Sequence, residues 1–164
     1  MEAMISPAMN DKLNAQVTNE FGASHMYLQM ACACEERTYK AMSAFFYRQS
    51  QEEREHAMKI AKYILEVGGQ VTLGAIPQLS GDFATPLAIF QAALAAEQTV
   101  TRQIHDLVAL AEQEKDYASR SFLQWFVDEQ VEEVSTMSEL VDIAERAKEV
   151  FHIEMHVRQM LASE

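Results

Sequence analysis

Glu53 and His56 lie three residues apart, the spacing at which two side chains on one helix face converge on a single centre. A carboxylate and an imidazole placed in this way can hold a metal ion. Other polar residues recur at related intervals. Glu20 precedes Glu53 by 33 residues, and Glu97 precedes Gln130 by 33. Adding 77 carries Glu20 to Glu97, Glu53 to Gln130 and His56 to Glu133. Such a repeat predicts two similar hairpins that present polar groups at matching heights.

Each of these residues interrupts a stripe that is otherwise largely apolar. Glu20 falls between Val17 and Phe21, Glu97 between Leu94 and Thr101, and the pair Gln130 and Glu133 between Phe126 and Met137. Burying an unpaired carboxylate costs roughly several kcal/mol. No lysine or arginine shares these stripes. Shared protons could neutralise the layer as a structural network, but two divalent cations would offset its charge better. Oxygen-rich coordination with one imidazole suits iron or manganese more than zinc. Carboxylates also bridge paired metals, about 3.5–4 Å apart, for shared redox or hydrolytic chemistry.

The elements that must position these groups are helices. Ser6-Pro7 and Thr85-Pro86 each read as an N-cap followed by proline at the first helical position. Thr38 and Asp116 are expected caps for two more helices. Three-four spacing predicts helices over roughly 7–36, 39–67, 86–113, 117–147 and 149–161, within a single domain spanning 1–164. On the first, the expected core stripe is Leu13, Val17, Phe21, Ser24, Leu28 and Ala31. The stretch 68–84 holds much of the Gly and Pro and shows no helical period. Helices of nearly thirty residues are roughly 40 Å long, and seventeen extended residues reach roughly 55 Å. The segment can therefore cross the full length of a bundle. The expected fold is all-α: two antiparallel hairpins joined by a long crossover, with a short fifth helix.

Composition narrows the function. The formal net charge of −12 argues against nucleic acid or an anionic membrane as partner and favours cations. No apolar run is long enough to span a bilayer, and no secretory signal is read at the N-terminus. Cys32 and Cys34 are expected to be reduced thiols in a cytoplasmic protein.

The stretches NEFGASHMYLQ (19–29), EEREHAMK (52–59), EQTVTR (97–102) and DEQVEEV (128–134) together resemble the bacterial non-haem ferritins, within the ferritin-like di-iron carboxylate family. The resemblance covers the whole chain. It implies a first iron site at Glu20, Glu53 and His56, with Glu53 bridging to a second iron held by Glu97 and Glu133, and Gln130 nearby. It implies a third iron site at Glu52, Glu129 and Glu132, with Glu133 shared, and a tyrosine, Tyr27, that hydrogen-bonds the centre. Trp125 matches an aromatic near the centre and is read as packing. The implied activity is ferroxidase: Fe(II) is oxidised by O2 or peroxide, and the ferric product mineralises inside a shell of 24 copies.

The departures also inform. Gln130 through Glu133 replaces the second Glu-x-x-His of bacterioferritin, and Arg54 occupies the place of its haem-ligating methionine, so no haem is expected. The four cysteines of a rubrerythrin are absent. Where animal ferritins line a three-fold channel with acidic residues, this chain aligns Arg120 and Leu123. His152 and His156, four apart near the C-terminus, are read as an exposed or interface pair. The alternatives are a ferritin-like di-iron oxidase or peroxidase that stores no mineral, and a structural bundle whose polar layer only fixes register.

Overall fold

The computed structural model describes residues 2–81 and 83–164. Its helices, in order, are α1 (Pro7–Glu36), α2 (Lys40–Glu66), α3 (Pro86–Glu114), α4 (Tyr117–Arg146) and α5 (Val150–Ala162). Helices α1 and α2 form one hairpin and α3 and α4 the other, as the sequence pattern predicts. The described residues contain no strand.

The starts of α1 and α3 follow the same chemistry. Ser6 accepts the Met9 amide and Thr85 the Ala88 amide, each followed by proline with its preset φ. Asp116 accepts the Ser119 amide at the start of α4. Thr38, expected to cap α2, does not. It holds a left-handed backbone (φ 64°) in the turn, and the N-cap position, Tyr39, makes no side-chain bond. The acceptor comes instead from α5: Glu154 Oε2 takes the Ala41 amide at 2.7 Å. A carboxylate there also opposes the positive end of the α2 dipole.

The two hairpins turn alike. Lys115, 77 positions after Thr38, is the other non-glycine residue with positive φ among those described (56°). The interval that relates the polar layer thus also relates the turns. Within the first hairpin, Ser24 and Ser50 exchange hydroxyl bonds to each other's carbonyls at 2.7 and 2.8 Å, drawing α1 close to α2.

The crossover is pinned along α1 by a ladder of short polar side chains. Asn10 accepts the Gln70 amide, Asn14 accepts the Thr72 amide and donates to the Gln70 carbonyl, and Thr18 accepts the Gly74 amide. Residues four apart on a helix thereby satisfy backbone groups two apart on an extended segment. A Cβ on Gly69 would lie 2.5 Å from Asn10 Oδ1, so the close approach requires glycine.

Because α1 faces α2, α3 and the crossover together, it has no single apolar face, and this corrects the expected stripe. Leu13, Val17 and Ala31 are buried, but Leu28 is 43% exposed, and Tyr27, Met30 and Cys34 fill the core in its place. Two apolar clusters result. One gathers Leu13, Val17, Ile60, Ile104 and Phe126; the other gathers Tyr27, Met30, Phe46, Phe90 and Met137. Between them lies the polar layer.

The Glu154 contact generates a prediction. Glu154→Ala removes a charge-assisted bond and should cost about 1–2 kcal/mol. Amide exchange at Ala41 and along α5 should accelerate together. Unchanged exchange at Ala41 would show that α2 does not depend on this cap.

Candidate metal centre

Four helices contribute to the layer: Glu20 from α1, Glu53 and His56 from α2, Glu97 from α3, Gln130 and Glu133 from α4. All six residues are buried, none more than 6% exposed. One ligand atom each from Glu20, Glu53 and His56 lies within 4.8 Å of the others, and the same holds for His56, Glu129 and Glu133. The imidazole joins the two groups. Its Nδ1 lies 3.1 Å from Glu53 Oε2, and its Nε2 lies 3.9 Å from Glu129 Oε1.

Glu97 is held differently. The Tyr27 hydroxyl donates to its Oε1, and the Gln130 amide donates to its Oε2 at 3.1 Å. The same amide nitrogen lies 3.2 Å from both the Glu97 carbonyl and the Thr101 hydroxyl. Glu97 is thus oriented by neutral donors while Glu53 faces it from the other hairpin.

Burial dominates the electrostatics. It raises the Glu20 carboxyl well above the ordinary range, helped by the charge on Glu53. It does the same to Glu53, helped by Glu97. Glu133 is pushed up to about 9, first by burial and then by Glu97. Burial and the Glu97 charge likewise keep the Tyr27 phenol neutral. Glu20 Oε2 is buried with no N–H or hydroxyl donor, and the neighbouring Glu53 carboxyl can bond Glu20 only by sharing a retained proton. A polar atom stranded in this way, beside carboxyls that cannot all ionise together, fits a cation-binding centre.

The residues expected at the third site open outward. Glu52, Glu129, Glu132 and Glu133 line a cavity of about 180 Å³ with Arg48, Gln49 and Glu164. Glu129 is half-buried and Glu132 exposed. Burial raises the Glu52 carboxyl, against the pull of Arg48. Arg48 is itself engaged by Glu164 at 2.5 Å.

Trp125 is 40% exposed rather than a core filler. It packs edge-on against His56, with the Lys59 ammonium 3.4 Å from its ring centroid. Arg54 faces solvent. Arg120 bonds Glu112 and Gln124, while Leu123 is wholly buried in the core and lines no surface. His156 lies 3.4 Å from Glu139.

The sequence reading missed Gln16. It is 2% exposed and donates to Glu20 Oε1 at 3.1 Å and to Gln103 Oε1 at 3.3 Å, while accepting from Asn19. Its position one turn before Glu20 was the available signal, since residues four apart on a helix meet.

A bundle with this crossover and a buried layer of carboxylates and one histidine defines a ferritin-like helical protein. The Ferritin family model, described as a ferritin-like domain, matches residues 10–147. The chain belongs to this family. A bacterial non-heme ferritin of Staphylococcus haemolyticus is 40% identical over 143 residues, covering 87% of this chain and 86% of that protein. One from Staphylococcus aureus is 42% identical over 132 residues, 80% of each. Among solved structures, an open pore ferritin from the hyperthermophilic archaeon Archaeoglobus fulgidus superposes with a TM-score of 0.90 at 35% identity, covering 94% of this chain and 96% of that one. A humanised archaeal ferritin gives 0.91 at 35% identity, covering 98% and 97%.

The raised Glu133 carboxyl predicts a pH dependence. Below about pH 4.5 it is protonated whether the chain is folded or not, and its burial carries no ionic penalty. As pH rises toward 9 the unfolded chain releases the proton and the folded chain keeps it, so metal-free stability falls across that window. Glu133→Gln should stabilise the chelator-treated protein at pH 8 by on the order of 1–4 kcal/mol. The advantage should vanish near pH 4. Thermal unfolding at both pH values checks this, and a pH-independent difference would contradict it.

Proposed function

We propose that this protein stores iron and is a ferroxidase. The observation that carries the reading is the buried layer of four carboxylates and a histidine, with no lysine or arginine among its six members. The ferritin names of its relatives support it.

Fe(II) is the substrate. Glu20, Glu53 and His56 bind one ion; Glu53 is shared with a second that Glu97 and Glu133 complete, Gln130 orienting Glu97. Two Fe(II) ions surrender one electron each. O2 accepts both electrons with two protons and leaves as hydrogen peroxide, or hydrogen peroxide accepts both electrons with two protons and leaves as two waters. Anionic oxygen ligands favour the ferric state, which lowers the cost of electron loss. Tyr27 holds Glu97 in place and remains a neutral phenol beside the centre. Glu52, Glu129 and Glu132 form the third site, on the way out of the layer. Ferric product then hydrolyses and mineralises within a cytoplasmic shell of 24 copies.

Cation binding must expel the protons that burial retains on Glu20, Glu53 and Glu133. Anaerobic Fe(II) titration in weak buffer should therefore saturate at two or three ions per chain with release of protons, and affinity should fall as pH falls. The double variant Glu53→Ala with His56→Ala should lower the initial oxidation rate at least about 100-fold, while the shell still assembles. An unchanged rate would refute the site. A native protein that elutes near monomer mass would refute storage and leave a di-iron oxidase or peroxidase.

A further inference from the structure

Two cavities flank the bundle near the carboxylate layer, one lined by Glu133 of the layer itself and one joined to it only through side-chain hydrogen bonds, and their chemistry differs. On the α2–α4 side the cavity beside it is lined by five carboxylates, Glu52, Glu129, Glu132, Glu133 and Glu164, against one arginine. On the α1–α3 side lies a larger, open cavity of about 530 Å³, lined in part by Ala75, Pro77 and Leu79 of the crossover. Not one of its lining residues is ionisable, in a chain of net charge −12. Gly22 and Ala96 form opposite walls, from α1 and α3.

This neutral cavity is coupled to the layer through hydrogen bonds. Two of its lining residues, Asn19 and Gln103, both bond Gln16, and Gln16 in turn donates to Glu20. The Gln16 amide thus stands between the cavity and a metal-binding carboxylate. The Gln16–Gln103 bond, at 3.3 Å, lies at the long and weak end of the range. The crossover's ladder to α1 ends at Thr18 and Gly74, and the cavity opens from there onward.

We infer that traffic to the centre is divided by charge: Fe(II) arrives through the acidic α2–α4 opening, and the uncharged oxidant arrives through the α1–α3 cavity, past the Gln16–Gln103 latch. A divalent cation gains nothing from a cavity without carboxylates, whereas O2 or H2O2 loses no solvation there that neutral amides and hydroxyls cannot replace. Separate routes also let the oxidant reach a centre already loaded with cations. The inference rests on the ferroxidase reading of the layer.

Gly22 allows a direct test, because a Cβ built there meets nothing within 4 Å and phenylalanine gains helix propensity over glycine. Gly22→Phe should fill the cavity without disturbing the fold, and Ala96→Phe fills it from the facing wall. Each should raise the KM for the oxidant about five-fold or more, with kcat at saturating oxidant changed less than two-fold. Measurements with O2 and with H2O2 separate the two oxidants. Anaerobic Co(II) binding, followed by its visible absorption, should keep its stoichiometry, affinity and rate. Xenon, an uncharged probe, should occupy the cavity of the unaltered protein in pressurised crystals and be excluded by either variant.

An unchanged oxidant KM in both folded variants overturns the inference and leaves the metal centre standing. Slowed Co(II) binding in these variants overturns it too, because cations would then share the route. Failure of the unaltered protein to bind Co(II) saturably would instead remove the site reading beneath it.

Discussion

The constraint on which this structure turns is negative charge buried between two apolar clusters. Glu20, Glu53, Glu97 and Glu133 lie at the mid-height of the bundle, where neither cluster offers a counter-charge. Full ionisation in such surroundings is untenable, so protons are retained on several members. The folded chain therefore carries a standing cost that replacement by apolar residues would remove. A bundle built only for stability would have joined its two clusters into one. Instead, the layer is equipped with donors that fix particular oxygens: Tyr27 and Gln130 on Glu97, Gln16 on Glu20. One oxygen, Glu20 Oε2, is left without an N–H or hydroxyl donor. The cost is concentrated where a cation can relieve it.

Pseudo-twofold organisation explains how so short a chain delivers this layer. Each hairpin supplies one carboxylate from its first helix and a pair of polar groups, three apart, from its second. Similar helix lengths and the shared 77-residue interval then place them at one height. The positive-φ residues Thr38 and Lys115 mark the equivalent turns. The two halves are not equal in chemistry, however. His56 of the first hairpin corresponds to Glu133, and Glu53 to Gln130. One side therefore offers nitrogen and oxygen, and the other offers oxygen with a neutral amide that donates to Glu97. Two cation positions so surrounded would differ in affinity. The fifth helix stands outside this symmetry, yet it closes the start of α2 through Glu154, so the segment that carries Glu53 and His56 is partly held by α5.

The helical bundle was legible in the sequence because its signals are local. Ser-Pro and Thr-Pro starts, Asp116 and three-four spacing all act within a turn or two. The layer was legible because a carboxylate on an apolar stripe is costly, and the 77-residue interval shows that it recurs. What could not be read depends on partners distant in sequence. The α2 cap is supplied 113 residues away by Glu154, so Thr38 was mistaken for it. The buried face of α1 turns away from Leu28 because three elements surround that helix. Gln16 carried only the weak signal of its place one turn before Glu20, and a glutamine on a half-polar helix is ordinary until Gln103, 87 residues on, comes to face it. Trp125 likewise reads as core until Lys59 and His56 are seen against its ring.

These long-range contacts share one consequence for the layer. Gln16 ties Glu20 to α3, Tyr27 and Gln130 tie Glu97 to α1 and α4, and Glu53 faces both carboxylates from α2. Glu20 and Glu97 are therefore referenced to helices other than their own. A shift of one helix along the bundle breaks bonds on at least one neighbour, so the spacing of the ligand oxygens is set by the bundle as a whole rather than by side-chain rotamers. Neutral amides and a phenol serve this purpose better than arginine or lysine would. They fix direction without contributing positive charge, which would compete with the cation for the same oxygens. The layer is thus fixed in geometry and unsatisfied in charge, the two properties that the proposed uptake of cations calls for.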